Sequence, residues 1–240
     1  MGRRRSRKKQ GDDVVTQSDD PVEPYDICDS EAQSPPRLPG LIKIGKNADH
    51  LLDVVSAELL IEAEQRVHLG EPFHLALCGS DAIAKFLERM MYNPDMRQFP
   101  WEGTHCWLLD DIESGERFGR LHDTLVPHSG IDETNLHAAS ATSDAPDFDY
   151  VLLDIGADGR VGGVHAAASE DDMQVPLGSI NRSKFVAIIG MGCEVQAMLN
   201  SLEEATGCDL PVQQVQSQSG TTKWYLSPTT MEEDSRRYEE

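Results

Sequence analysis

Apolar positions along the chain are spaced first for a helix and then, repeatedly, for short strands. From Gly45 onward Leu51, Val55, Leu59 and Ala63, flanked by Leu52 and Ile61, recur at helical spacing. Asn47 is placed to cap this helix and Gly70 to stop it. Phe73 to Cys78 (FHLALC) predicts a strand, and the turn Gly79-Ser80-Asp81 opens a helix through Phe86, Leu87 and Met90. Thr104 to Leu109 reads as the next strand, ending in Asp110 and Asp111, with a helix over Glu116 to Leu125. Phe148 to Ile155 is the most apolar strand, followed by the turn Gly156-Ala157-Asp158-Gly159. A strand at Lys184 to Ile189, a helix near Glu194 to Ala205, and short strands at Val212 to Gln216 and Lys223 to Leu226 complete the pattern. Strands alternating with helices predict an α/β fold with an open, mostly parallel sheet covered by helices on both faces. Ligands of such sheets gather at the carboxyl ends of the strands.

Residues 1 to 40 break the pattern. A basic stretch, MGRRRSRKKQ, gives way to an acidic one poor in large apolar residues, and SPPRLPG closes the segment. This predicts a disordered tail over 1–40, a domain over 41–230 and a charged tail over 231–240. Arg3, Arg4, Arg5, Arg7, Lys8 and Lys9 read either as a solvated terminus or as an address or nucleic-acid tag.

Charge narrows the function classes. The chain carries 42 acidic and 21 basic residues; six of the basic ones lie in the first ten positions, so 15 against 42 leaves residues 11–240 at −27. A field of that sign repels nucleic acid and anionic lipid, so neither is an expected partner. No apolar run reaches the roughly 18 residues that a membrane span needs. Cys28, Cys78, Cys106, Cys193 and Cys208 form no CxxC pair, and polar residues follow the basic start. Reduced thiols and a cytoplasmic location are expected.

The strand-end motifs carry a family resemblance. In order and context, Cys78-Gly79-Ser80-Asp81, Asp110-Asp111 and Gly156-Ala157-Asp158-Gly159-Arg160 resemble the 6-phosphogluconolactonase family, relatives of the glucosamine-6-phosphate deaminases. The nearest match is FDYVLLDIGADGR at Phe148 to Arg160, supported by PWEGTHCWLLDD, ERFGRLHDTL and LPVQQVQSQSGTTKWYLSP; together they span about Gly45 to Pro228. The resemblance implies a lactonase/deaminase-like, Rossmann-like fold and hydrolysis of 6-phospho-D-glucono-1,5-lactone in the pentose phosphate pathway. A phosphorylated sugar lactone would be the ligand, with no cofactor and no metal. Asp158 and Arg160 then fall in the catalytic loop, and Gly79, Ser80, Asp110 and Asp111 at the substrate.

Several positions depart from the family pattern. The base of that family is a histidine after Asp-Gly; here Arg160 stands there, and a guanidinium stays protonated at neutral pH. The family's arginine after Asp-Glu falls at Ile112, and its lysine after a later strand falls near Glu194. In the first loop Ser80, Asp81 and Ala82 replace Gly, Ser and Thr, which makes Asp81 a helix cap where a phosphate would be cradled. The stretches Val126 to Pro146 and Arg160 to Val175 look shortened, leaving the strand ends open to water.

His165 is the substitute base to consider, and Arg160 with Arg117 the substitute anion grip. Cys78 lies at the mouth as a nucleophile or, more simply, as a buried structural thiol. The histidines show no HxxxH or HExxH spacing, and Asp110 with Asp111 reads as an exposed acidic strand end rather than a metal site. The expectation is a 6-phosphogluconolactonase-like protein with a degenerate site. The alternative is a non-catalytic protein of the same fold that binds a partner protein or another small ligand.

Overall fold

The computed structural model describes residues 38–112, 114–139, 146–162, 173–174, 177–204 and 211–237. Nine strands and seven α-helices are defined among them, besides three short 3-10 turns. They are β1 (Leu41–Ile44), α1 (Ala48–His68), β2 (Phe73–Leu77), α2 (Asp81–Tyr92), β3 (Thr104–Leu108), β4 (Asp110–Asp111), α3 (Glu116–Ser129) and β5 (Leu136–His137). There follow β6 (Tyr150–Asp154), β7 (Met173–Gln174), α4 (Leu177–Asn181), β8 (Phe185–Met191), α5 (Cys193–Glu204), α6 (Pro211–Gln214), β9 (Thr221–Ser227) and α7 (Met231–Arg237).

Seven strands form one sheet in the order β1-β9-β8-β6-β2-β3-β5, and every pairing in it is parallel. The expected "mostly parallel" sheet is thus wholly parallel, and the antiparallel pair, β4 with β7, stands apart from it. Tyr150 to Leu153 in β6 and Val186 to Ile189 in β8 are buried at consecutive positions. Residues of both parities are therefore out of water, as in a sheet covered by helices on both faces. The strand order reverses between β2 and β6: from β2 the chain builds outward through β3 and β5, then returns to the other side for β6, β8 and β9. A crevice opens beyond the carboxyl ends of two such strands, because their connections leave in opposite directions.

Local chemistry sets the ends of the elements. Asn47 caps α1 by accepting from the amide of His50 at 2.9 Å, and Leu51, Leu52, Val55, Leu59 and Ala63 bury its inner face. Glu58 on the same helix takes Lys43, Lys223 and the Tyr225 hydroxyl, tying α1 to β1 and β9. Burial raises the Glu58 carboxyl, but those three donors outweigh it and bring the pKa down to about 2.

One expected element is corrected, and two further elements are found. Val212 to Gln216 is not a strand: Pro211 opens the helical turn α6, and Val212 and Val215, three residues apart, both point into the core. Leu41–Ile44, directly after the segment read as a tail, is the edge strand β1. The segment from Met231 forms a helix, α7, whose buried Asp234 accepts from the amide of Asp49 at 3.2 Å, while Thr229 Oγ1 accepts from Ala48 at 3.1 Å. Two of the amides that open α1 are thus satisfied from the far end of the fold. Among the described residues no helix is long and apolar enough to cross a membrane.

Candidate functional site

Beyond the carboxyl ends of β2, β3 and β6 lies a cleft of about 380 Å³, with Ser80, Asp110, Arg117, Asp154, Asp158 and Arg160 in its wall. The β2 end supplies the first side. Its amide at Gly79 donates to Asp110 Oδ1 at 2.8 Å, and Arg117, from the first turn of α3, binds the other oxygen of Asp110. A Cβ on Gly79 would stand 2.5 Å from Arg117 Cδ and 2.8 Å from the Asp110 carbonyl, so the close approach of α3 to this loop needs glycine.

Ser80 is the N-cap of α2, its hydroxyl accepting from the amide of Ile83 at 3.3 Å. The expected cap, Asp81, is instead the first helical residue. Its side chain is 83% exposed and paired with Arg120 at 2.6 Å, which lowers its pKa. The carboxylate still lies at the helix start, where it repels an anion approaching the same amides. A second hollow of about 220 Å³ adjoins the cleft, with Asp81, Ile112, Glu116 and Arg120 in its wall.

Asp110 and Asp111 are not an exposed acidic end: they are 5% and 2% exposed. Asp110 faces the cleft as described. Asp111 turns away and serves α3, accepting from the amides of Ile112 at 2.8 Å, Arg117 at 3.1 Å and Phe118 at 3.2 Å. These are the bonds of a helix-capping residue. Burial pushes the Asp110 carboxyl up, with Asp154 and Asp111 adding to the rise, while the Gly79 amide and Arg117 pull against it.

The third side is the turn after β6. Gly156 donates to the carbonyl of Arg160 at 2.9 Å and Gly159 to that of Gly156 at 3.0 Å, closing a tight loop. Gly159 has φ +76, a left-handed conformation that favours glycine. Within the loop Asp158 accepts from the Arg160 amide at 3.1 Å and binds its guanidinium. Burial would raise Asp158, but these bonds from Arg160 outweigh it and the pKa falls. Asp158 is therefore held ionised and Arg160 is already paired. His165 lies outside the described residues, and among the described residues no histidine lines this cleft.

Asp154, the last residue of β6, is the group that the sequence reading passed over. Burial raises its pKa, and the thiol of Cys78 and the Ser80 hydroxyl act the other way. Cys78 donates to Asp154 Oδ1 at 3.2 Å. Burial, with Asp154 and Asp110 nearby, pushes the thiol well above its ordinary value, so Cys78 is a structural thiol and not a poised nucleophile. The signal for Asp154 was a carboxylate ending the most apolar strand just before a glycine turn. Among the described residues, no group of three or more histidine, cysteine and acidic side chains is arranged to hold a metal ion.

No family model matches the chain, and no curated protein matches it by sequence. Solved structures do match it in three dimensions. The 6-phosphogluconolactonase from Thermotoga maritima aligns with a TM-score of 0.64 at 17% identity, covering 78% of this chain and 99% of that one. The enzyme from Trypanosoma brucei gives 0.63 at 12% identity over 79% and 97% of the two chains. A monomeric glucosamine-6-phosphate deaminase of the NagB superfamily gives 0.64 at 11% over 78% and 97%. With its parallel sheet and its cleft at the reversal between β2 and β6, the chain has the fold that 6-phosphogluconolactonases and this deaminase share.

Proposed function

We propose that this protein is a 6-phosphogluconolactonase-like protein whose hydrolytic site is degenerate, so that it binds a small ligand on a lactonase fold without turning over the phosphorylated lactone. The observation that carries this reading is the Arg160–Asp158 pair: the loop that resembles the family's catalytic loop ends in a permanently protonated side chain, bound to the carboxylate beside it. Lactone hydrolysis needs a base to activate water and cations to hold a dianionic phosphate. Asp81 at the start of α2 and Ile112 beside it work against the second requirement. A deaminase-type sugar-phosphate isomerase is the weaker alternative, since the acid-base apparatus of such an enzyme is not recognisable in the sequence.

The cytoplasm is the compartment that fits the unpaired Cys78, Cys106 and Cys193. The segment 1–40 is an appended tail in this reading, and a protein partner would read the altered strand ends.

The test is a coupled assay of 6-phosphogluconolactone loss against a buffer blank, with Arg160→His alongside. The expected result is the spontaneous rate for both, because restoring a histidine does not restore the phosphate anchors. Turnover above the blank overturns the reading. A retained hydrolase is favoured by one observation, the raised pKa of Asp154 in the cleft wall, and it requires that Asp154→Asn abolish such turnover.

A further inference from the structure

Resting on the reading that the strand-end site no longer holds phosphate, we infer that the cleft binds a neutral polyhydroxylated ligand, a sugar or polyol without a phosphate group. The wall combines acceptors, the carboxylates of Asp110, Asp154 and Asp158, with donors, the guanidiniums of Arg117 and Arg160, around one hollow whose size suits a small ligand. A hydroxyl both donates and accepts, so a run of neighbouring hydroxyls satisfies carboxylates and guanidiniums together.

Charge decides between this ligand and a phosphorylated one. Arg117 is paired with Asp110 and Arg160 with Asp158, so both positive charges in the wall are compensated before any ligand arrives. Each guanidinium has five N–H donors and gives only part of them to its carboxylate, which leaves donors for a neutral oxygen. A phosphate dianion, by contrast, would have to displace Asp110 or Asp158 and then sit beside the carboxylate it released. The adjoining hollows offer no escape: in one Arg120 is paired with Asp81 and Glu116 adds another carboxylate, and in the other Lys85 lies beside Asp81 with Asp154 in the same wall.

The experiment titrates the full chain by calorimetry and thermal shift with D-glucose, D-glucitol and D-glucose 6-phosphate, and measures phospholactone turnover on the same preparation. The expected result is saturable binding of at least one neutral probe, about tenfold or more tighter than that of the phosphorylated one, with a matching rise in Tm. Asp158→Ala, on an exposed loop, frees Arg160 and should narrow or reverse that preference. Ala157→Trp, in the cleft wall, should abolish binding while leaving the unliganded Tm unchanged. Failure of both neutral probes to bind, equal or tighter binding of the phosphorylated probe, or an Asp158→Ala preference like that of the parent would overturn the inference. Phospholactone turnover in the same sample would instead overturn the degenerate-site reading, whichever probe binds.

Discussion

The thiol of Cys78 and the carboxylate of Asp154 meet at 3.2 Å, joining the ends of β2 and β6 at the point where the strand order reverses. Gly162 closes over them: a Cβ there would lie 2.9 Å from Cys78 Cβ and 2.7 Å from a Leu153 methyl. The thiol is therefore sealed beneath the cleft floor as well as raised in pKa.

That burial predicts the order of thiol labelling. In the native protein at mildly alkaline pH, iodoacetamide should modify Cys193, which is exposed, and leave Cys78 and Cys106 untouched until the protein is unfolded. Peptide mapping by mass spectrometry reads the order. Early labelling of Cys78 would show that the strand ends open to solvent.

Gly79→Ala should destabilise the fold by about 1–3 kcal/mol, because the new methyl meets both Arg117 and backbone at the cleft edge. Urea unfolding measures the loss. A neutral effect would mean that α3 can move away from the loop without cost.

The clasp on α1 is testable through its hydroxyl. Thr229→Ala removes the acceptor for the Ala48 amide and should cost about 1 kcal/mol, as helix caps do. Asp234→Ala removes the acceptor for Asp49 and should also destabilise. Combined with Thr229→Ala, the loss should fall short of or exceed the sum, since both residues serve the same helix start.

At the other edge of the sheet, His74, His105 and His137 form a row with Trp107. His105 Nδ1 lies 3.0 Å from His137 Nε2, and Trp107 Nε1 donates to His74 Nδ1 at 3.3 Å. Burial lowers all three imidazole pKa values; Arg66 and Lys184 oppose protonation of His74, and Asp149 favours it. A base depressed in the folded state is protonated more readily when unfolded. Its contribution is therefore full above the unfolded value of 6.5 and lost as pH falls below it. Tm should drop as pH falls through that window, and His137→Phe should flatten the slope. An equally steep profile in that variant would assign the acid sensitivity elsewhere.

Much of the fold was legible because apolar runs such as FHLALC and FDYVLLDI end at glycine and aspartate turns, where a buried strand must stop. The edge strand β1 was not, since Leu41 and Ile44 stay more than half exposed and the strand follows a run of prolines, so burial leaves no clean alternation to read. Val212 to Gln216 misled because V-Q-Q-V-Q reads as a strand at a glance, yet its two valines are spaced for one helical turn. At the site, one cleft brings together Ser80, Asp110, Arg117, Asp158 and Arg160, with Gly79 beside them through its bond to Asp110. The pairing partners were not readable: whether Arg117 faces a ligand or Asp110, and whether Asp111 faces the cleft or α3, depends on packing between elements far apart in sequence.

The pairing of β1 with β9 sets a timetable. Leu41 lies beside Lys223 and Ile44 beside Leu226, so among the described residues the first strand of the sheet has its only ladder partner in the last one. During synthesis from the amino end, the strand Leu41–Ile44 must wait unpaired until almost the whole domain has emerged. Closing that loop is a costly, long-range step that slows folding. Until it closes, the edge of β9 is open to a passing strand from another nascent chain.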